Sequence, residues 1–203
     1  MVCITEEIKI SEKYTYQDLI QELQIRTGYS YFRVRTILKE LSRLLQKKVK
    51  QGIAIDCEGI CKIDFSIKGY TNMNRTYYSV QEQAKDLSES LKLEKIDMLN
   101  LIRNYYNLIK TKIEQGYQVN IKSICRVDPI ENLTGDIYLN TRMSPQLKKP
   151  EIAEFVVLDR EGRISTKIFD KSIRLNMFLD ENLKLPNRIV SKETYEAEYI
   201  NFN

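Results

Sequence analysis

Gln51-Gly52-Ile53-Ala54-Ile55-Asp56-Cys57-Glu58-Gly59-Ile60-Cys61-Lys62-Ile63-Asp64 returns 64 positions later as Gln115-Gly116-Tyr117-Gln118-Val119-Asn120-Ile121-Lys122-Ser123-Ile124-Cys125-Arg126-Val127-Asp128. In each copy a glycine stops a helix, an alternating apolar run reads as a half-buried strand, and a two-residue turn leads into a second strand. Extending the alignment backwards pairs Tyr14–Asp64 with Tyr78–Asp128 without a gap, and ten of the 51 pairs are identical. Composition alone would give roughly three. The chain is therefore a tandem repeat, and its fold follows from one unit used twice.

Each unit opens on a helix-capping cue, Thr15-x-x-Asp18 and Ser79-x-x-Glu82. The hydroxyl accepts from backbone amides, and the acid sits against the positive end of the helix. Asp in place of Glu makes the first box the poorer fit. Leu19, Ile20 and Leu23 supply an apolar face, and Gly28 suits a left-handed terminus. Lys92 stands where that glycine would recur, so the second copy is expected to turn differently. A longer helix follows over about Ser30–Gln51 and Glu94–Gln115, with apolar residues at three-four spacing. Leu41, Leu44, Leu45, Tyr105, Leu108 and Ile109 are the candidate core through which the repeats pair. Arg33, Arg35, Lys39, Arg43, Lys47 and Lys48 populate the rest of the first long helix, as a solvated face or a phosphate contact.

The chain divides into an arm at 1–13, units at 14–77 and 78–149, and an extension at 150–203. Its net charge is +4, with +3 in Tyr14–Asp64, +1 in Tyr78–Asp128 and −2 in Pro150–Asn203. That is milder than a chain devoted to neutralising phosphates would carry. No apolar run reaches membrane-spanning length, and the first residues lack the apolar core of a signal peptide, so a cytoplasmic, non-membrane protein is expected. There is no histidine, which removes the commonest general base and the usual partner of a nucleophilic serine or cysteine. Cys57 and Cys61 are two ligands where a structural zinc site needs four, so they read as small buried hydrophobes. No phosphate-binding glycine loop is present. The expectation is a non-enzyme with no cofactor, no metal site and no small-molecule substrate.

Short helix, long helix and β-hairpin in this order, with Gln51-Gly52 before Gly59-Ile60-Cys61-Lys62-Ile63 and Gln115-Gly116 before Ser123-Ile124-Cys125-Arg126-Val127, resembles the HU/integration host factor family. Thr134–Tyr138 and Met143–Lys148 look like that family's arm-return strand and C-terminal segment. The resemblance implies an α+β fold of two tandem units, pairing within the chain or between subunits. It departs from the family at the arms. Phe65–Tyr77 and Pro129–Arg142 are short, carry no proline at the tip, and leave Lys68, Arg75, Arg142, Lys148 and Lys149 as the candidate nucleic-acid contacts. The resemblance extends to the integration-host-factor-like ring and neck proteins of crAss-like bacteriophages. It implies a virion structural role at the portal and tail, assembled in the host cytoplasm, with copies of itself and other virion proteins as partners. The alternative it implies is a single-chain architectural DNA-binding protein of the bacterial nucleoid, with weak and unspecific duplex binding expected from so few basic arm residues. Phe155–Leu158 and Ile164–Phe169 read as a hairpin, and Lys171–Asn203 as a tail whose Phe178, Tyr195, Tyr199 and Phe202 find no surface in either repeat and dock on a neighbouring subunit.

Overall fold

A computed structural model describes residues 8–10, 12–67, 77–131, 136–144, 147, 155–158, 164–167, 173–185 and 188–190. In chain order the elements are β1 (Ile8–Ile10), β2 (Lys13–Tyr14), α1 (Tyr16–Thr27), α2 (Tyr31–Lys50), β3 (Ala54–Cys57), β4 (Cys61–Ile67), β5 (Tyr77–Tyr78), α3 (Val80–Leu91) and α4 (Lys95–Glu114). They continue with β6 (Gln118–Ile121), β7 (Cys125–Glu131), β8 (Ile137–Met143), β9 (Phe155–Leu158), β10 (Ile164–Lys167), β11 (Ile173–Leu179) and β12 (Arg188–Val190). The class is mixed α+β: four helices among the described residues, with two four-stranded sheets. β9 and β10 form the expected hairpin; residues 168 and 169, read as the end of its second strand, lie outside the described residues.

Local chemistry explains the helices. Thr15 and Ser79 both close complete capping boxes, with Asp18 and Glu82 each bonding back to the cap amide. Asp thus serves as well as Glu, because its carboxylate reaches the Thr15 amide at 2.9 Å. α2 and α4 end alike: Gly52 and Gly116 donate to Val49 and Ile113, while Ile53 and Tyr117 donate to Lys48 and Lys112. These paired bonds satisfy the last free carbonyls, and they require the left-handed backbone that both glycines adopt. The turn after α3 overturns an expectation. Lys92 occupies the same left-handed region as Gly28, φ 54° against 71°, so the turn is retained at the cost of strain.

The repeat becomes two sheets of one design, in the orders β11-β4-β3-β5 and β8-β7-β6-β2. Hairpin β3–β4 pairs Ile55 with Ile63 and Cys57 with Cys61; hairpin β6–β7 pairs Val119 with Val127 and Ile121 with Cys125. The short strands are exchanged. β5, which precedes α3, runs parallel to β3, while β2, which precedes α1, runs parallel to β6. The helices pack across the repeats as well as within them, α1 lying against α4 and α2 against α3. One hydrophobic cluster therefore runs through both repeats.

The extension at 150–203 does not stand apart from the repeats. β11 pairs antiparallel with β4 from Ile173↔Ile67 to Leu179↔Cys61, as β8 pairs with β7 from Ile137↔Glu131 to Met143↔Cys125. The correspondence continues past the strands: Ser144 and Asp180 donate to Ile124 and Ile60, and Leu147 and Leu183 donate to Ser144 and Asp180. The second unit closes with its own next strand, whereas the first is completed by residues from beyond the whole second unit. The expectation that residues from Lys171 onward lack a surface in their own chain fails for 173–185. Leu175, Met177, Leu179 and Leu185 all pack against the shared core.

Candidate assembly and nucleic-acid surfaces

Leu41, Leu44, Leu45, Tyr105, Leu108 and Ile109, the residues expected to join the repeats, are all buried in the common cluster. Two polar clasps reinforce that junction at equivalent places. Tyr14 donates to Glu22 at 2.8 Å, and Lys112 of the other repeat lies 3.2 Å from the same carboxylate. Tyr78 donates to Asp86 at 2.8 Å, with Lys48 of the other repeat at 3.1 Å. Each lysine also sits over its tyrosine ring, 4.9 Å and 4.5 Å from the centroid. Burial alone would raise the Glu22 carboxyl, but hydrogen bonds from Tyr14, Arg26 and Lys112 outweigh it and hold the group below its ordinary value. Asp86 is held down in the same way by Tyr78 and Lys48 against its burial. Burial and these hydrogen bonds push Tyr14 and Tyr78 well up.

The core carries an asymmetric polar insertion. Gln83 replaces Leu19 of the first unit and donates to the carbonyls of Asp56 (3.0 Å) and Tyr78 (3.1 Å) while accepting from the Tyr106 hydroxyl (2.8 Å). Nearby, Cys57, Cys61 and Cys125 lie together in the interior. Hydrogen bonding with Cys61, then burial, raises the Cys57 thiol; hydrogen bonding with Cys125 does the same for Cys61. The reactive thiolate is therefore disfavoured, and these side chains act as packing groups.

Of the candidate nucleic-acid contacts, Arg142 is exposed on β8 directly opposite Arg126, which is paired with Asp128 at 2.8 Å. Lys68, Arg75, Lys148 and Lys149 lie outside the described residues, as do Tyr195, Tyr199 and Phe202 of the tail. Among the described residues the β7–β8 ribbon runs four residue pairs beyond the β6 register, Asp128↔Asn140 to Glu131↔Ile137, or about 13 Å. Over Cys125–Met143 its charged side chains are two arginines (126 and 142) against three acids (128, 131 and 136), a net of −1. Such an arm offers a polyanion no net positive charge. The outer edges of both sheets differ in character. Among the described residues no strand pairs beyond β8 or β11, and each carries a large exposed aromatic, Tyr138 at 50% and Phe178 at 52%.

The basic residues of α2 separate into different roles. Lys48 belongs to a clasp, Arg33 lies 4.4 Å from the Tyr29 ring centroid, and Arg43 is held by Glu40. That arginine, with Ser90, holds the Glu40 carboxyl down at about 2 against the opposing effect of its burial. Arg35, Lys39, Lys47 and Lys50 pair with no carboxylate among the described residues. Lys122, in the β6–β7 turn, joins this face from the other repeat, its ammonium 4.3 Å from the Tyr16 ring centroid. Sequence reading had not linked Lys122 to α2, although the repeat alignment sets it against an acid, Glu58, and so marks a charge reversal. No described helix is long and apolar enough to cross a membrane. No protein-family model matches this sequence, and no curated protein is significantly similar to it.

Proposed function

We propose that the chain is a non-enzymatic virion structural protein, a ring or connector component of a phage portal–tail region, built from two HU/integration-host-factor-like units with reduced DNA-binding arms. The order helix, helix, hairpin, return strand and terminal turn, met in both halves, supports the tandem reading. The observation that carries the assembly role is the pair of outer strands, β8 and β11, beyond which no described strand pairs, seven residues each and each with one exposed aromatic. An open edge offers unpaired amides and carbonyls to another chain. Tyr138 and Phe178 supply apolar area beside them.

The reading is tested by sedimentation velocity on the full chain over a range of concentrations. The wild type should form discrete closed oligomers, and Tyr138→Lys with Phe178→Lys should leave folded monomers. A wild type that stays monomeric throughout would remove the assembly reading. The uncompensated cations of α2 favour a second reading, an architectural DNA-binding protein. A salt-dependent gel shift separates the two. The assembly reading expects weak binding with a log–log salt slope no steeper than about −3 to −4. Nanomolar affinity with measurable bending at physiological salt would establish the second.

A further inference from the structure

The structure assigns a phosphate-class anion site to the place where the β6–β7 turn meets α2, formed by Arg35, Lys39, Lys122 and the hydroxyl of Tyr16. The reason lies in a comparison the molecule makes with itself. In the other half, the equivalent turn residue is Glu58, and it lies 3.8 Å from Arg103, the counterpart of Lys39. There Leu99 stands in place of Arg35. One half thus closes its turn on the long helix with an ion pair, while the other brings three cations together. Among the described residues none of the three pairs with a carboxylate. Partial burial and the nearby Arg35 and Lys39 all press the Lys122 ammonium toward its neutral form.

A second, independent observation is the Tyr16 hydroxyl. It is shut off from solvent and has no hydrogen-bond partner among the described residues; the Lys122 ammonium lies over the ring that carries it, and Arg35 is close enough for its charge to act on it. A buried phenol normally finds a partner, so an orphaned one beside three cations points to a missing acceptor. A carboxylate offers two oxygens, whereas a phosphate group offers more and matches a guanidinium fork, two ammonium groups and a phenol together. Arg43, Lys47 and Lys50 continue the same helix face, and Arg35 to Lys50 spans about 22 Å, so a phosphodiester strand could extend from the site along α2. The phosphate comes either from such a strand or from the free ion. This site does not depend on the assembly reading.

The test titrates the full chain at low salt, by calorimetry, with inorganic phosphate and separately with a mixed-sequence DNA duplex. Lys122→Glu copies the Glu58–Arg103 arrangement of the other half, so it preserves the fold, and a thermal melt verifies this. Lys95→Glu, at the exposed start of α4, makes the same charge change elsewhere. Lys122→Glu should weaken binding by about tenfold or more, and Tyr16→Phe by roughly 2- to 10-fold, the worth of one hydrogen bond. Lys95→Glu should leave it within about twofold. Binding of both ligands identifies nucleic acid as the phosphate source, and binding of inorganic phosphate alone identifies the free ion. The site is overturned if neither ligand binds the wild type, if Lys122→Glu binds as well as the wild type, or if Lys95→Glu weakens binding equally.

Discussion

At the scale of single residues the two halves of the molecule serve as controls for each other. Leu19 fills its place with hydrocarbon; Gln83 fills the equivalent place with an amide that meets two carbonyls and the Tyr106 hydroxyl. Gln83→Ala strands all three groups and should cost about 3 kcal/mol or more. Gln83→Leu with Tyr106→Phe should lose much less than the sum of the single changes, since both ends of a hydrogen bond leave together. Urea unfolding of the four proteins measures the coupling, and strict additivity would mean that the network contributes nothing beyond its parts. The left-handed turns give a second pair with opposite signs. Lys92→Gly should stabilise by about 1 kcal/mol, by removing side-chain strain at a positive φ. Gly28→Lys should destabilise by a similar amount, for backbone reasons alone, because nothing lies within 4 Å of a Cβ placed there. Equal melting temperatures for wild type and both variants would contradict this.

At the scale of elements, β11 decides how the first unit is completed. Its seven-pair register with β4 and the packing of Leu175, Met177 and Leu179 make it part of the sheet. Ending the chain at Asp170 should therefore expose the β4 edge and cost about 3–5 kcal/mol from lost apolar burial alone. Ending it after Leu185 should cost far less. Circular dichroism melts of the two truncated chains distinguish them, and an unchanged melt for the shorter one would return β11 to the role of a separable assembly arm. The strand was legible in the sequence. Ile137–Leu147 and Ile173–Leu183 match at Ile, Leu, Asn and Leu, four of eleven positions, at a shift of 36. A search at the main repeat distance alone misses it, because the equivalent pieces of the two units are not separated by a constant interval.

At the scale of the whole molecule, the exchanged strands and two clasps make the halves one cooperative body. Glu22, Asp86 and Glu40 have folded-state values below those of an unfolded chain. Their contribution is therefore fully present above the ordinary carboxylate range, about pH 4, and is lost as pH falls through the lowered values. Stability should drop between about pH 5 and pH 2, and Glu22→Gln with Asp86→Asn should flatten that drop. The raised tyrosines act at the other end. Tyr14 and Tyr78 contribute below about pH 10, and that contribution is lost as pH rises beyond it. Urea midpoints across the pH range check both limbs; an acid limb identical in the double variant would show that the clasps do not carry it.

The repeat, the helix limits, the N-terminal cap residues and the burial of Tyr105 were all legible in the amino-acid sequence alone. Each rests on information held within a few turns of chain: cap hydroxyls, glycine stops, three-four and alternating apolar spacing. Tertiary structure alone decided who pairs with whom. That Tyr14 reaches toward Lys112 rather than Lys48, that β2 and β5 change places, and that Lys122 confronts Arg35 and Lys39 are all contacts that cross from one repeat to the other. Local pattern carries no term for these. They follow from burying two apolar helix faces against each other in one core, which fixes the positions of every side chain around its rim.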